Sequence, residues 1–128
     1  MKLTKNDQEL IHLALQAAKK RFGDFSTVGA ALRTKKGKIY TGVNIEQIHS
    51  SACSMCAEYS AIAPMQTEAD QLIETIVAID FNGRVLPPCG RCRELLRQFG
   101  NPYVILQIKG KTVKKPLDEL IPFWETNG

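Results

Sequence analysis

The sequence predicts an α/β domain: a mixed sheet carrying helices on its faces. Apolar residues alternate between helical and strand spacing in the order α-β-β-α-β-α-β, with a small tail, which is the pattern of a layered sheet rather than a bundle or a sandwich. The chain's 128 residues suit one domain with room for a real core. No repeat, linker or low-complexity stretch divides it, so residues 1–128 are expected to fold as one unit.

Thr4 followed by Asp7 opens the first helix in capping-box fashion. Leu10, Ile11, Ala14, Leu15, Ala17, Ala18 and Phe22 continue it at helical spacing, and Gly23 ends it. Residues 28–34 and 38–43, on either side of Lys35-Lys36-Gly37, form a β-hairpin. A polar stretch over 44–54 leads into a helix of a few turns over 56–63. Residues 75–81 are a β-rich run suited to burial on both faces. Pro87-Pro88 fix an extended approach to a helix over 89–99. A strand over 103–108, a Lys-Gly-Lys turn, a short strand over 112–115 and a helical turn after Pro116 complete the chain.

Seventeen Lys and Arg against thirteen Asp and Glu leave a net charge of +4. These basic residues are scattered, from Lys19-Lys20-Arg21 through Lys35-Lys36 to Lys114-Lys115. A nucleic-acid surface needs them clustered with interleaved aromatics, so nucleic acid is not an expected partner. No window approaches the roughly 18–20 apolar residues of a membrane span, and Met1-Lys2-Leu3-Thr4 does not open a signal peptide. The expected compartment is the cytoplasm, where thiols stay reduced. Four cysteines there point to metal or catalysis before disulfides.

Those cysteines form two pairs, Cys53-x-x-Cys56 and Cys89-x-x-Cys92. Soft thiolates complete a tetrahedral shell around zinc, so a four-cysteine site that only staples the fold is one reading. A thiol redox motif at Cys53-x-x-Cys56 is another, though it leaves the second pair unexplained. Zinc ribbons place their pairs closer than the 32 residues found here. Glu58 adds a sharper clue. Cys56-Ala57-Glu58 followed by Pro88-Cys89-Gly90-Arg91-Cys92 matches the zinc-deaminase signature, in which three residues bind the metal and the Glu does not. Cys56, Cys89 and Cys92 would then hold one Zn²⁺ per subunit, leaving a fourth position for water. Zinc makes hydroxide available near neutral pH, and Glu58 is the candidate acid and base that moves its protons. Predicted helix starts at Cys56 and Cys89 favour negative sulfur. His12, within the first helix, and His49, in the polar loop, are alternative ligands or surface groups.

With these residues in place, the chain resembles the cytidine deaminase family, in its short-chain, three-cysteine form. The resemblance runs from Val28-Gly29-Ala30-Ala31-Leu32 to Leu120-Ile121-Pro122. It implies a three-layer fold, a mixed five-stranded sheet with helices on both faces. It further implies hydrolysis of cytidine or 2′-deoxycytidine to the uridine product and ammonia. Asn44-Ile45-Glu46 is similar to the family's N-x-E element, which holds the ribose at its 3′-hydroxyl, and Ala57 and Phe25 would also meet substrate. The resemblance implies a homotetramer, or a dimer, with Phe123 and Trp124 as aromatics lent between subunits.

Three features depart from that pattern. Ser26 stands where a base-stacking aromatic is usual, with Phe25 one step away. Tyr59 follows Glu58 where Arg is common, although three thiolates on Zn²⁺ leave a net −1 that a hydroxyl, Arg91 or Arg93 must offset. The stretch between Glu46 and Cys56 is one residue longer. All three lean toward blasticidin S deaminases, as does Cys89-Gly90-Arg91-Cys92-Arg93-Glu94-Leu95, and imply a pocket altered around base and sugar. Blasticidin S or another modified cytosine nucleoside is therefore the alternative substrate.

Overall fold

A computed structural model describes residues 2–21 and 27–121. Helix α1 (Lys5–Lys20) begins at the expected cap. Thr4 Oγ1 accepts from the Asp7 N–H at 3.1 Å, and the Asp7 carboxylate accepts from the Thr4 N–H at 2.9 Å. Arg21 already has extended backbone, so the helix ends at Lys20, two residues short of the predicted Phe22, which lies outside the described residues.

Strands β1 (Val28–Thr34) and β2 (Ile39–Val43) form the predicted hairpin, with Gly37 at φ +91° in its turn. Helix α2 (Ala57–Thr67) runs past Pro64 to Thr67, longer than the spacing predicts. Strand β3 (Ile73–Asp80) follows, then a two-residue strand, β4 (Val85–Leu86), that the sequence does not announce. Helix α3 (Gly90–Leu96) is shorter than predicted because Arg97–Phe99 tighten into a 3₁₀ turn. Strands β5 (Tyr103–Ile108) and β6 (Lys111–Pro116) end the sheet, and Leu117–Glu119 form the last turn.

The strands run in the order β2-β1-β3-β5-β6. The pairs are antiparallel except β3–β5, which is parallel and joined through α3. This path contains the five expected strands, and β4, paired antiparallel to β3, makes six.

Strand alternation then sorts side chains onto two faces. Ala30, Leu32, Ile76, Ala78, Val104 and Leu106 face α2 and α3, where Ala61, Ile62, Met65 and Leu96 cover them. Ala31, Val77, Ile79 and Ile105 point the other way, onto Leu10 and Ala14 of α1. Each such buried Leu or Ile contributes about 1.5–3 kcal/mol by leaving water. The result is three layers, and among the described residues α1 is the helix on the second face.

Two glycines let the layers touch. A Cβ on Gly29 of β1 would meet the Ala14 carbonyl and lie 2.6 Å from the Ala18 nitrogen of α1. On Gly42 of β2 it would press into the Ser60–Ala61 backbone of α2. The second contact sets how close the start of α2 comes to the end of β2. Among the described residues, no helix is long and apolar enough to cross a membrane.

Candidate active site

Helices α2 and α3 both begin on cysteines. Cys56 is the N-cap of α2 and Cys89 the N-cap of α3, and neither side chain caps a backbone N–H. Ser, Thr, Asp or Asn would normally spend its oxygen there, whereas a soft sulfur at this position suits a metal. Cys92 lies nearly one turn into α3 and is buried. The Sγ atoms of Cys56, Cys89 and Cys92 lie within 4.8 Å of one another, and the Cys56–Cys89 pair is 3.9 Å apart. Zn–S bonds of about 2.3 Å in a tetrahedron separate sulfurs by about 3.8 Å, close to the Cys56–Cys89 spacing, so the donor set suits zinc. Cys53 sits exposed in the 3₁₀ turn Ser51–Cys53 and is not part of the group. His12 and His49 are also exposed and outside it.

Burial pushes the Cys92 thiol far above its ordinary range, and the Glu58 carboxylate beside it adds to the shift. Burial also raises Cys56. At Cys89 burial acts in the same direction, but the backbone N–H groups of Cys92 and Arg91 and the neighbouring thiols outweigh it and the pKa falls. A divalent cation at this point reverses the penalty, because a coordinating thiol deprotonates outright.

The site also holds its own positive charge. The Arg91 guanidinium stacks 4.6 Å from the centroid of the Tyr59 ring, with Nη2 3.8 Å from Met55 Sδ, and feels the Cys56 and Cys92 sulfurs. Tyr59 therefore serves as a platform that carries an arginine. Arg93, the other expected source of charge, donates instead to the Pro88 and Leu120 carbonyls at 2.8 and 3.3 Å. It braces the start of α3 against the last turn.

Glu58, the second residue of α2, is 7% exposed. Burial raises its pKa above the ordinary carboxylate value, against partial opposition from its own backbone N–H and Cys92. It opens onto a cavity of about 220 Å³ shared with Cys56, Ala57 and Cys89. That is below the roughly 300–1,000 Å³ typical of drug-sized ligands and suits one compact solute.

Val28, Ala78, Leu86 and Pro87 supply the apolar wall. Sheet register explains it: Ala78 pairs with Ala30 of β1 on one side and with Leu86 of β4 on the other. Leu86 has no signal in the sequence, because a two-residue strand shows no periodicity.

At the far side of the cavity stand Asn44 and Glu46. Asn44 is buried, with Oδ1 accepting from the Val28 N–H at 2.9 Å and Nδ2 donating to Glu46 Oε1 at 2.8 Å. An amide N–H beside a carboxylate offers a hydroxyl both a donor and an acceptor. Phe25, and Phe123 and Trp124 of the tail, lie outside the described residues.

A trio of thiols at paired helix starts, a buried carboxylate beside them and a polar pair across a small cavity define a metal-dependent hydrolytic site. The family model for the cytidine and deoxycytidylate deaminase zinc-binding region matches residues 4–108. Among curated proteins, the chain is 35% identical to the blasticidin-S deaminase of Bacillus cereus over 130 residues, covering 94% of this chain and 92% of that one. It is 32% identical to the cytidine deaminase of Halalkalibacterium halodurans over 120 residues, 90% of each. The crystal structure of cytidine deaminase from Mycobacterium leprae superposes with a TM-score of 0.81 at 29% identity, covering 93% of this chain and 99% of that one. The chain belongs to the cytidine and deoxycytidylate deaminase family, and it is a zinc-binding deaminase.

Proposed function

We propose that this enzyme hydrolyses cytidine and 2′-deoxycytidine at C4, consuming water and yielding uridine or 2′-deoxyuridine plus ammonia. The observation that carries the reading is one cavity shared by two of the three clustered thiols, Glu58 and the Asn44–Glu46 pair. Cys56, Cys89 and Cys92 would hold Zn²⁺, one per subunit, and the ion would supply water activation at neutral pH. Glu58 would accept one proton of the attacking water and pass it to the ring nitrogen, then take the second from the new C4 hydroxyl and deliver it to the departing amine. Burial suits it to this work, since a carboxylate whose pKa is raised is a stronger base and keeps the proton it takes until it can be delivered. Ala57 presents a backbone N–H from the first turn of α2, one of the donors a helix start leaves unpaired. Asn44 and Glu46 grip a sugar hydroxyl, and the apolar wall excludes water.

The expected setting is pyrimidine salvage in the cytoplasm, whose reducing conditions keep the three sulfurs available for metal. The expected assembly is a homotetramer, with a dimer as the alternative. Ile45 and Ile48, both exposed, supply apolar surface for such an interface. The alternative substrate is blasticidin S or another modified cytosine nucleoside, the B. cereus blasticidin-S deaminase being a related member of the same family.

Loss of ultraviolet absorbance with cytidine, deoxycytidine and blasticidin S tests the reading. Turnover of cytidine supports it. Turnover of blasticidin S alone keeps the chemistry and overturns the substrate, and no turnover by zinc-replete protein overturns both.

Metal analysis of four alanine variants separates an open site from a closed staple. Cys53→Ala is expected to retain one zinc per chain, whereas Cys56→Ala, Cys89→Ala and Cys92→Ala lose it. Loss in all four would mark a structural four-cysteine site.

A further inference from the structure

Arg21 stands just past the C-terminal end of α1, and none of the chemistry above uses it. Its Nε donates to the backbone carbonyl of Asn44 at 2.8 Å, and its Nη1 donates to the Thr27 hydroxyl at 2.7 Å. Thr27 is fully buried and precedes β1, while Asn44 is buried and follows β2. One guanidinium therefore joins the end of α1 to two neighbouring strand ends at the cavity wall. A planar fork with two acceptors fixes direction as well as distance, which a single point charge does not.

What it holds is the peptide that carries the sugar-facing arm. The Asn44 N–H donates to Val28 O at 3.2 Å, and its side chain is bonded to Val28 and Glu46 as described. The Asn44 carbonyl is the remaining polar group of that residue, and Arg21 takes it. The next residue, Ile45, exchanges a pair of backbone bonds with Met55 at 2.9 and 2.8 Å, one position before Cys56. A rotation of the 44–45 peptide would thus move the Asn44 amide, the Glu46 carboxylate and their spacing to the thiol cluster together.

We propose that Arg21 is a positioning residue that sets the Asn44–Glu46 arm and thereby gives the enzyme its preference for nucleosides bearing a 3′-hydroxyl. The proposal rests on the reading of Asn44 and Glu46 as the sugar-binding pair. A site built to bond a hydroxyl rejects the analogue lacking it, because its buried polar groups are left unpaired. That discrimination depends on the groups being held still, and Arg21 holds them from behind.

The test compares steady-state kinetics on cytidine and 3′-deoxycytidine for the zinc-loaded enzyme and three variants, Arg21→Gln, Arg21→Lys and Asn44→Ala. Arg21→Gln is expected to raise KM for cytidine about tenfold, the size of one charged hydrogen bond. Its kcat should stay within about threefold, and its KM for 3′-deoxycytidine should barely change, so that the preference between the two collapses. Arg21→Lys, which keeps the charge but not the fork, should recover part of it. If Arg21→Gln does not fold, Thr27→Val removes one of the guanidinium's two anchors with little change of shape and should shift the ratio the same way.

Equal loss on both substrates, or a lowered melting temperature with the ratio intact, would make Arg21 a structural brace and overturn the proposal. Should Asn44→Ala erase the preference while Arg21→Gln preserves it, Arg21 is excluded and the sugar-binding pair stands. Should Asn44→Ala itself preserve the preference, the pair is wrong and the proposal falls with it.

Discussion

Glu58→Gln is expected to lower turnover of cytidine by about 10⁴-fold, the upper end of what one general acid–base group supplies, while the protein still binds one zinc per chain. The upper end applies because a single carboxyl is asked to relay two protons in sequence. Glutamine matches glutamate in shape and can still donate from its amide, so α2 and its packing should survive. It has no site that accepts and returns a proton, which is the property under test. Glu58 is buried, and loss of its charge next to Cys92 removes a repulsion with that sulfur rather than creating one. The melting temperature should therefore hold or rise. Single-turnover absorbance measurements on zinc-replete protein decide the matter. Retained turnover in the glutamine variant would move the acid–base role to another group, and lost zinc would show that Glu58 acts through the metal site instead.

Much of this site was legible in the chain because its chemistry dictates residue type. Thiols at pairwise spacing followed by Glu58 read as a zinc site with a free position, and the structure gathers Cys56, Cys89 and Cys92 while leaving Cys53 apart. The strands read well where burial on both faces produces long β-branched runs, as in residues 73–80. Helix ends read less well. Pro64 argues for an early stop to α2, but it sits late in the helix, and packing of Ala61, Ile62 and Met65 on the sheet carries the turn onward. Partnerships across the fold left no local trace. Arg21 and Asn44 are 23 residues apart, and nothing near Arg21 distinguishes it from the adjacent surface lysines. The Tyr59–Arg91 stack was foreshadowed only by charge balance, which named Arg91 and Arg93 alike; geometry separated them. The buried ionic cluster behind the sheet was legible only as a helix cap.

That cluster should make Asp7→Asn the most destabilising polar substitution in the molecule outside the site, at about 3–5 kcal/mol, the cost of stripping one partner from a buried ion pair. Asp7 is 1% exposed. Its carboxylate accepts from Lys114 Nζ at 2.9 Å and from Arg33 Nη2 at 3.3 Å, in addition to the Thr4 cap. Arg33 reaches on to Glu74 at 3.0 Å and the Asn6 carbonyl at 2.9 Å, and Lys114 lies 5.1 Å from the Tyr103 ring centroid. Removing the charge at Asp7 leaves Lys114 and Arg33 buried, with only the half-exposed Glu74 to offset them. Helix α1 would lose its charged ties to both β1 and β6.

The pH dependence has a definite sign. Burial by itself raises the pKa of Asp7, but the Thr4 N–H and Lys114 outweigh it and hold the carboxyl below its ordinary value of 3.8. The unfolded chain then binds more protons than the folded one as pH falls below 3.8, so the stabilisation is complete above that value and drains away beneath it. Denaturant titrations of the two proteins should therefore differ most near neutral pH and converge as the pH drops below about 3.8. A difference of the same size at every pH would mean that asparagine fails by shape alone, and that the ion pairs around Asp7 contribute nothing to the fold.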